Sequence, residues 1–365
     1  MERLDEAIET ATRLNRTIIR HLLRDASEDS EPVPVETELV LDPEPDEAII
    51  RETMSRHGMS DPLLAMHDLQ RLADEPVPFL SSRRCRHFLA TIAPQLLDAI
   101  GRTPDPHATL STLVAVSDSL GGKAVLWELF RAAPPTMNLV VRLCACSPYL
   151  SKILISNPGM IDELVDSLLL GRLPSERWLE ASSNELCRGA VDIDPIVASF
   201  KNGAHLQIGV RDVLGKEPLE ATHAALAATA ASVLRRISEH AMRGLAERFG
   251  DPVDAEGNEI ELVMLGLGKL GASEPNYFSD LDVQFLYTGD GKTRRRVGGH
   301  RTTTTAAHFF ADLAKQITSR VNHASDGSRL YVLGSSLAIG GSSSVPALPA
   351  ISLDALRGYF KRGEA

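Results

Sequence analysis

Asp280 and Asp282 stand on either side of Leu281, at the head of the run LDVQFLY. In a β-strand, residues i and i+2 project from one face, ~6.5–7 Å apart along the chain. Two carboxylates placed that way repel each other unless a cation lies between them. A pair of Mg²⁺ ions is held in this manner for phosphoryl or nucleotidyl transfer. Upstream, Gly268–Lys269 follows the apolar run Leu262–Leu265. Glycine lets backbone amides come close to a phosphate, and such turns bind anions without side chains. Ser279, next to the first aspartate, offers a hydroxyl. Taken singly, each feature is weak, because an Asp-x-Asp pair at a strand end is most often a solvated turn. The string GLGKLG also sets Gly266, Gly268 and Gly271 at a dinucleotide-binding spacing. That fold needs a long helix opening at the turn and an acid some ~20 residues on. Pro275 and the acidic pair arrive too soon for it.

The elements around these residues follow from periodicity. Leu262–Leu265 is a continuous apolar run ending at Gly266, and Leu281–Tyr287 largely alternates; both read as strands. Residues 305–322 read as a helix, Arg329–Leu333 with Leu337–Ile339 as one interrupted strand, and Ser352–Phe360 as a last helix. The longest helical pattern is 217–248, opened by Pro218 and stopped by Gly250 and Asp251–Pro252. Before it, apolar residues recur at helical spacing with breaks at Glu75–Pro78, Thr103–His107, Gly121–Gly122 and Pro134–Pro135. Asn157 is a candidate cap for a helix in NPGMIDELVDSLL, with Pro158 at its first position. Residues 3–24 form an amphipathic helical pattern, followed by the acidic, proline-rich stretch SEDSEPVPVETELVLDPEPDE, which reads as a linker or extended wrap. The expected organisation is an N-terminal helix and linker over 1–45, a helical domain over 46–255 and an α/β domain over 256–365.

The conjunction is more specific than its parts. An apolar–Gly–Lys turn, ten residues, then Asp–apolar–Asp–apolar resembles the polymerase-β-like nucleotidyltransferases. The longer string GLGKLGASEPNYFSDLDVQFLY resembles the GKLG…N…SDLD…FLY motif of glutamine synthetase adenylyltransferases. LVVRLCACSPYLSKILISNPGMIDELVD, QIGVRDVLG and SLDALRGYF also look like segments of that family, so the resemblance covers roughly residues 80–362. Its context is closer to the adenylylating half of those enzymes than to the deadenylylating half. The resemblance implies a fold of class α + α/β: a large helical body, then a small polymerase-β-like domain with a mixed sheet. It implies transfer of AMP from ATP to a tyrosine of glutamine synthetase, under control of a PII-type signalling protein. It assigns two Mg²⁺ ions to Asp280 and Asp282, and nucleotide binding to Gly268, Lys269, Gly271 and Ser279.

The match breaks at the third catalytic strand. The family pattern Leu-Tyr-x-x-Asp-x-Arg-Leu-Arg-Pro is met by Leu330, Tyr331 and Leu337. Gly334 stands where the third aspartate belongs, Ser336 and Ala338 replace the arginines, and Ile339 replaces the proline. Ser273 and Pro275 replace an arginine and a leucine after the glycine turn. Loss of the third carboxylate is expected to impair transfer, and Asp326 is too far along the chain to replace it directly. The chain ends at GEA, where the family continues into further helices, so a fragment or degenerate paralogue is an expectation. A non-catalytic module that binds glutamine synthetase or a regulator is the alternative. A nucleotidyltransferase acting on a small molecule or RNA is a third reading.

Composition narrows the choice. A net charge of −11 from 49 acidic and 38 basic residues argues against a nucleic-acid partner. There is no signal-like apolar core at the N-terminus and no apolar run of the ~20 residues a membrane span needs, so a cytoplasmic protein without a membrane partner is expected. Cys85, Cys144, Cys146 and Cys187 lack the spacing of a zinc site and are expected to be buried thiols. The basic Arg294–Arg296 stretch reads as a solvated hairpin tip.

Overall fold

Aspartate, serine and proline punctuate the first half of the chain into short helices. The computed structural model describes residues 33–75, 77, 80–161, 164, 172–294, 303–323, 329–334 and 350–361. Helix α1 (Val35–Leu41) precedes α2 (Glu47–Arg56), α3 (Pro62–Ala73), α4 (Ser82–Gly101) and α5 (Pro106–Ser119). Asp46, Asp61, Ser81 and Asp105 cap α2 to α5, each accepting an otherwise unpartnered first-turn amide. Pro62 and Pro106 open their helices where a missing N–H costs nothing. Helices α6 (Lys123–Ala132), α7 (Pro134–Cys146) and α8 (Pro148–Ser156) complete this part, with breaks within a few residues of those read from composition.

Three local expectations need correction. Val35–Leu41 is a helix where the acidic, proline-rich stretch reads as a linker. Pro34 lies just outside it, and Leu39 and Val40 are buried, with the Thr37 hydroxyl donating to the Ala90 carbonyl at 2.9 Å. Tertiary packing overrides composition there. Asn157 stands at the N-cap position with Pro158 after it, but its side chain caps nothing: its amide donates back to Ile153 O at 3.0 Å, and the element that follows is a 3₁₀ turn, Pro158–Met160. Cys146 is exposed while Cys85, Cys144 and Cys187 are buried. Residues two apart on a helix point to different sides, so Cys144 and Cys146 cannot share one environment. The amphipathic pattern at 3–24, and residues 295, 296, 326 and 336–339, lie outside the described residues.

Helices α9 (Glu176–Leu186), α10 (Asp194–Val213) and α11 (Leu219–Phe249) lead into the sheet. Gly250, at φ 89°, ends α11. Strands β1 (Asp251–Val253), β2 (Leu262–Gly266), the short helix α12 (Gly268–Gly271), β3 (Leu281–Tyr287) and β4 (Lys292–Arg294) follow. Then come α13 (Ala306–Asn322), β5 (Leu333–Gly334), β6 (Ala350–Ser352) and α14 (Leu353–Lys361). The fold is thus a helical body with a small mixed sheet. β2 runs antiparallel to β3, pairing Leu262 with Tyr287 and Gly266 with Val283. Two short strands share the other edge of β3, both parallel to it: β5 beside Leu281–Asp282 and β6 beside Phe285–Tyr287. Of the expected interrupted strand, the described part enters the sheet at Leu333–Gly334, Leu337–Ile339 lies outside the described residues, and Ala350–Ser352 adds a strand that was not expected.

Two hydrophobic cores form. One is built by α1 to α8; the other gathers α9, α11, α13 and the inner sheet face, including Val283, Phe285, Phe309 and Phe310. Helix α10 serves both: Val197, Phe200 and Ala204 enter the sheet-side core, and Leu206 and Val210 the helical one. Arg320 on α13 ties to Asp194 of α10 and lies 2.9 Å from His240 on α11. Among the described residues, no single helix is long and apolar enough to cross a membrane.

Gly209 sets how closely α10 approaches α8. A Cβ there would lie 2.4 Å from Leu150 Cδ1, and Leu150 is only 1% exposed. Alanine is the better helix former by ~1 kcal/mol. Overpacking outweighs that gain, so Gly209→Ala should lower stability by about 1–2 kcal/mol in urea unfolding.

Candidate active site

The strand β3 begins inside the protein and turns its acids outward. Leu281 is buried, and its amide donates to Val332 O at 2.8 Å. Alternation then puts Asp280 and Asp282 on the opposite, open face. Asp280 is exposed and Asp282 half-buried. Neither carboxylate has a hydrogen-bond or ion-pair partner among the described residues.

Two glycines flank Asp282. Gly268 begins α12 with φ +50°, and a Cβ on it would fall 2.8 Å from Asp282 Oδ2. Gly334 pairs with Asp282 across β3 and β5, and a Cβ on it would lie 3.5 Å from Asp282 Oδ1. The turn, the acid and the third strand therefore meet at one carboxylate. At Gly334 that distance is ordinary contact and no positive φ intervenes, so a Cβ is accommodated there, at the register position of Asp282.

The other residues singled out from sequence fall nearby with differing roles. Lys269 is exposed beside Gly268. Gly271 packs α12 onto the strand end, since a Cβ would meet Gly266 O at 2.6 Å. The Ser279 hydroxyl is committed to a turn: it accepts from the Asn276 amide at 2.9 Å and donates to Asn276 Oδ1 at 3.1 Å. Asn276 Oδ1 also accepts from the Phe278 amide. Asn276 thus shapes the entry to Asp280, a role visible in sequence only as the isolated Asn of the long motif. Ser273 ends α12 in the left-handed region at φ 59°, with Glu274 N–H donating to Lys269 O at 2.8 Å.

Two carboxylates on one face, one exposed and one half-buried, suit a Mg²⁺ ion, which takes its remaining oxygens from water and substrate phosphates. The described residues contain no group of three or more His, Cys, Asp or Glu side chains placed to hold a metal. Gly334 occupies the position from which a third carboxylate would complete such a group. A cleft of about 750 Å³ lies on the other side of the turn, lined by Ala224, Ala228, Met264, Leu270 and Val283. It follows the inner sheet face and receives neither aspartate.

Behind the open face lies a polar cluster that sequence reading missed. Lys201 and His205, four residues apart on α10, are buried. Lys201 Nζ donates to Tyr149 Oη at 3.4 Å and lies 4.8 Å from the Tyr331 ring centre. Tyr149 Oη is 2.7 Å from His205 Nδ1, and His205 Nε2 is 3.2 Å from Tyr331 Oη. Tyr277 donates to Asp212 on α10 at 3.0 Å. Burial, with the Lys201 charge beside it, holds His205 well below the usual histidine range. Burial lowers Lys201 to about 8. The available signal was a lysine and a histidine interrupting a buried helix face at i, i+4.

Residues 137–364 match the family model for glutamate–ammonia ligase adenylyltransferase. That span is more than half of the chain and contains both aspartates. The chain belongs to this family. Similar proteins are the bifunctional glutamine synthetase adenylyltransferase/adenylyl-removing enzymes of three bacteria. The Thioalkalivibrio sulfidiphilus protein is 29% identical over 276 residues, covering 72% of this chain and 28% of the relative. The Xanthobacter autotrophicus protein is 27% identical over 325 residues, covering 88% and 32%. The Pseudomonas aeruginosa protein is 26% identical over 297 residues, covering 78% and 30%. This member of the adenylyltransferase family spans about a third of the length of these relatives.

Two measurements test the site's physics. Gly268→Ala should cost about 1–3 kcal/mol, from its positive φ and the Asp282 clash. Combining it with Asp282→Gly should recover ~0.5–1 kcal/mol or more in a double-mutant cycle, and strict additivity would refute the contact. Lys201 binds its proton less tightly in the folded protein than when unfolded. The site therefore costs stability at every pH below about 8, and the cost fades as pH rises from about 8 towards the ordinary 10.5. Lys201→Met should exceed the wild type by about 1–3 kcal/mol at neutral pH, with the gap narrowing in alkaline urea titrations.

Proposed function

We propose that this chain is an adenylyltransferase module that moves AMP from ATP to a tyrosine hydroxyl of glutamine synthetase, slowly. The observation that carries the proposal is Asp282, held between the Gly268 turn and the β5 strand within the family-matched region. The glutamine synthetase target rests on the names of the relatives. A PII-type regulator and a cytoplasmic setting are the family's expectations, and the acidic net charge leaves nucleic acid unfavoured as a partner.

In this reading Asp280 and Asp282 hold magnesium together with the ATP phosphates. When bound, Mg²⁺ neutralises phosphate charge and polarises the phosphoryl centre. The exposed Gly268 backbone lets the turn approach the triphosphate, and the Lys269 ammonium adds a positive charge there. The tyrosine oxygen forms a bond to the α-phosphorus as the bond to the bridging oxygen breaks; pyrophosphate leaves and the tyrosine proton passes to water. Gly334 contributes neither a metal ligand nor a base to take up the tyrosine proton. Removing one such group typically costs ~10²–10⁴ in rate. The donor set around Asp282 gives a second ion only the two carboxylates already used by the first.

The same glycine favours a second reading, a binding module that grips Mg²⁺–ATP and the synthetase without transfer. α-labelled ATP, Mg²⁺ and bacterial glutamine synthetase separate the two. The first reading expects slow labelling of the synthetase, abolished by Asp280→Asn with Asp282→Asn and raised ~10²-fold or more by Gly334→Asp. No label from the wild type or from Gly334→Asp, with binding of the synthetase intact, would leave the second reading standing.

A further inference from the structure

The buried cluster on α10 reaches both chain segments that meet at Asp282. Tyr277 lies three residues before Asp280, and Tyr331 three residues before Gly334. Immediately beyond these tyrosines the two segments join, through Leu281 N–H to Val332 O and the pairing of Asp282 with Gly334. Both tyrosines pack on His205, with ring centres 5.9 and 6.1 Å away. Tyr149 completes the contact. Its ring lies 5.7 Å from Tyr277 and 5.1 Å from Phe278, which is otherwise 76% exposed.

We propose that His205 is a positioning residue: with Tyr149 and Tyr331 it forms one hydrogen-bonded bridge, and the rings of Tyr277 and Phe278 pack against it, so that the acid-bearing loop and the third strand are held in a common register. In the proposed bridge Tyr149 Oη accepts from Lys201, which only donates, and gives its own proton to His205 Nδ1. The neutral ring then carries its proton on Nε2 and donates it to Tyr331 Oη. Both nitrogens of a histidine that is 1% exposed are thereby satisfied. An ordinary core histidine needs partners, but here one hydrogen bond goes to the third-strand segment at Tyr331 while the ring of Tyr277, from the acid-bearing loop, packs on the same imidazole. Here the ends of the bridge, Tyr149 and Tyr331, are 182 positions apart in sequence and share a single imidazole. Asp212, accepting from Tyr277 about two helical turns further along α10, fixes the same loop a second time.

The proposal rests on the reading that Asp280 and Asp282 bind Mg²⁺–ATP, and its test keeps the two apart. Tyr331→Phe removes one hydroxyl and keeps the ring over Lys201. Amide hydrogen exchange and equilibrium binding of Mg²⁺–ATP are measured on the whole chain, with His205→Gln and His205→Leu alongside. The expected result for Tyr331→Phe is exchange about tenfold faster in both 276–282 and 329–334, with α4 and α5 unchanged. Mg²⁺–ATP affinity should fall by a similar factor in the folded protein. Gln, which keeps a donor and an acceptor, should hold both segments better than Leu. Faster exchange confined to 329–334, or spread evenly over the chain, would overturn the proposal, as would unchanged protection in both segments. If the wild type binds no Mg²⁺–ATP, the nucleotide reading fails while the exchange pattern still decides the bridge.

Discussion

Helix α10 has to satisfy two cores with one 20-residue segment. Its Val197 and Phe200 belong with the sheet, its Leu206 and Val210 with the helical body, and Gly209 lets Leu150 come against its backbone. A helix buried on several sides leaves its polar residues little access to water. Lys201, His205 and Asp212 are thus compelled to find partners inside, because an unpartnered buried polar group costs several kcal/mol. Those partners are tyrosines from the loops around β3 and from α8. The burial that fixes α10 therefore also fixes the approach of the site loops.

At the site itself the governing constraint is space around one carboxylate. Asp282 sits at a strand head with a turn on one side and a parallel strand on the other. The turn can come that close only because Gly268 has no Cβ and tolerates φ +50°. On the β5 side there is room for a side chain, and glycine leaves it empty of charge. The two glycines look alike in sequence and differ physically. Gly268 is demanded by the backbone, whereas Gly334 is permitted by it.

Much of the frame was legible because it is written in local patterns. LVML and LDVQFLY alternate or run apolar as strands must, and the 31-residue α11 is bounded by Pro218 and Gly250 within two residues of expectation. The conjunction of the GKLG turn with Asp280 and Asp282 was legible through the family resemblance, and the antiparallel pairing of β2 with β3 is what brings turn and acids together. The hidden parts depend on distant partners. Val35–Leu41 reads as linker because its charges are local while the α4 surface that buries Leu39 is some fifty residues away. The edge of β3 is shared by Leu333–Gly334 and Ala350–Ser352, two segments that lie apart in the chain, and no single run in the sequence announces that. The bridge through His205 joins residues on three separate segments, and no periodicity encodes that.

The same separation applies at position 334, where the backbone does not depend on which side chain stands there. Gly334 lies in a two-residue strand whose hold on β3 is backbone pairing, and whose approach is anchored by Leu333 N–H to Asn322 Oδ1 at 2.7 Å and by Tyr331. None of those contacts uses a side chain at 334. A carboxylate there would add negative charge beside Asp282, which destabilises the fold unless a cation is bound. Absent selection for turnover, stability alone favours glycine at 334 over aspartate, while the same stability retains Gly268, whose φ admits little else.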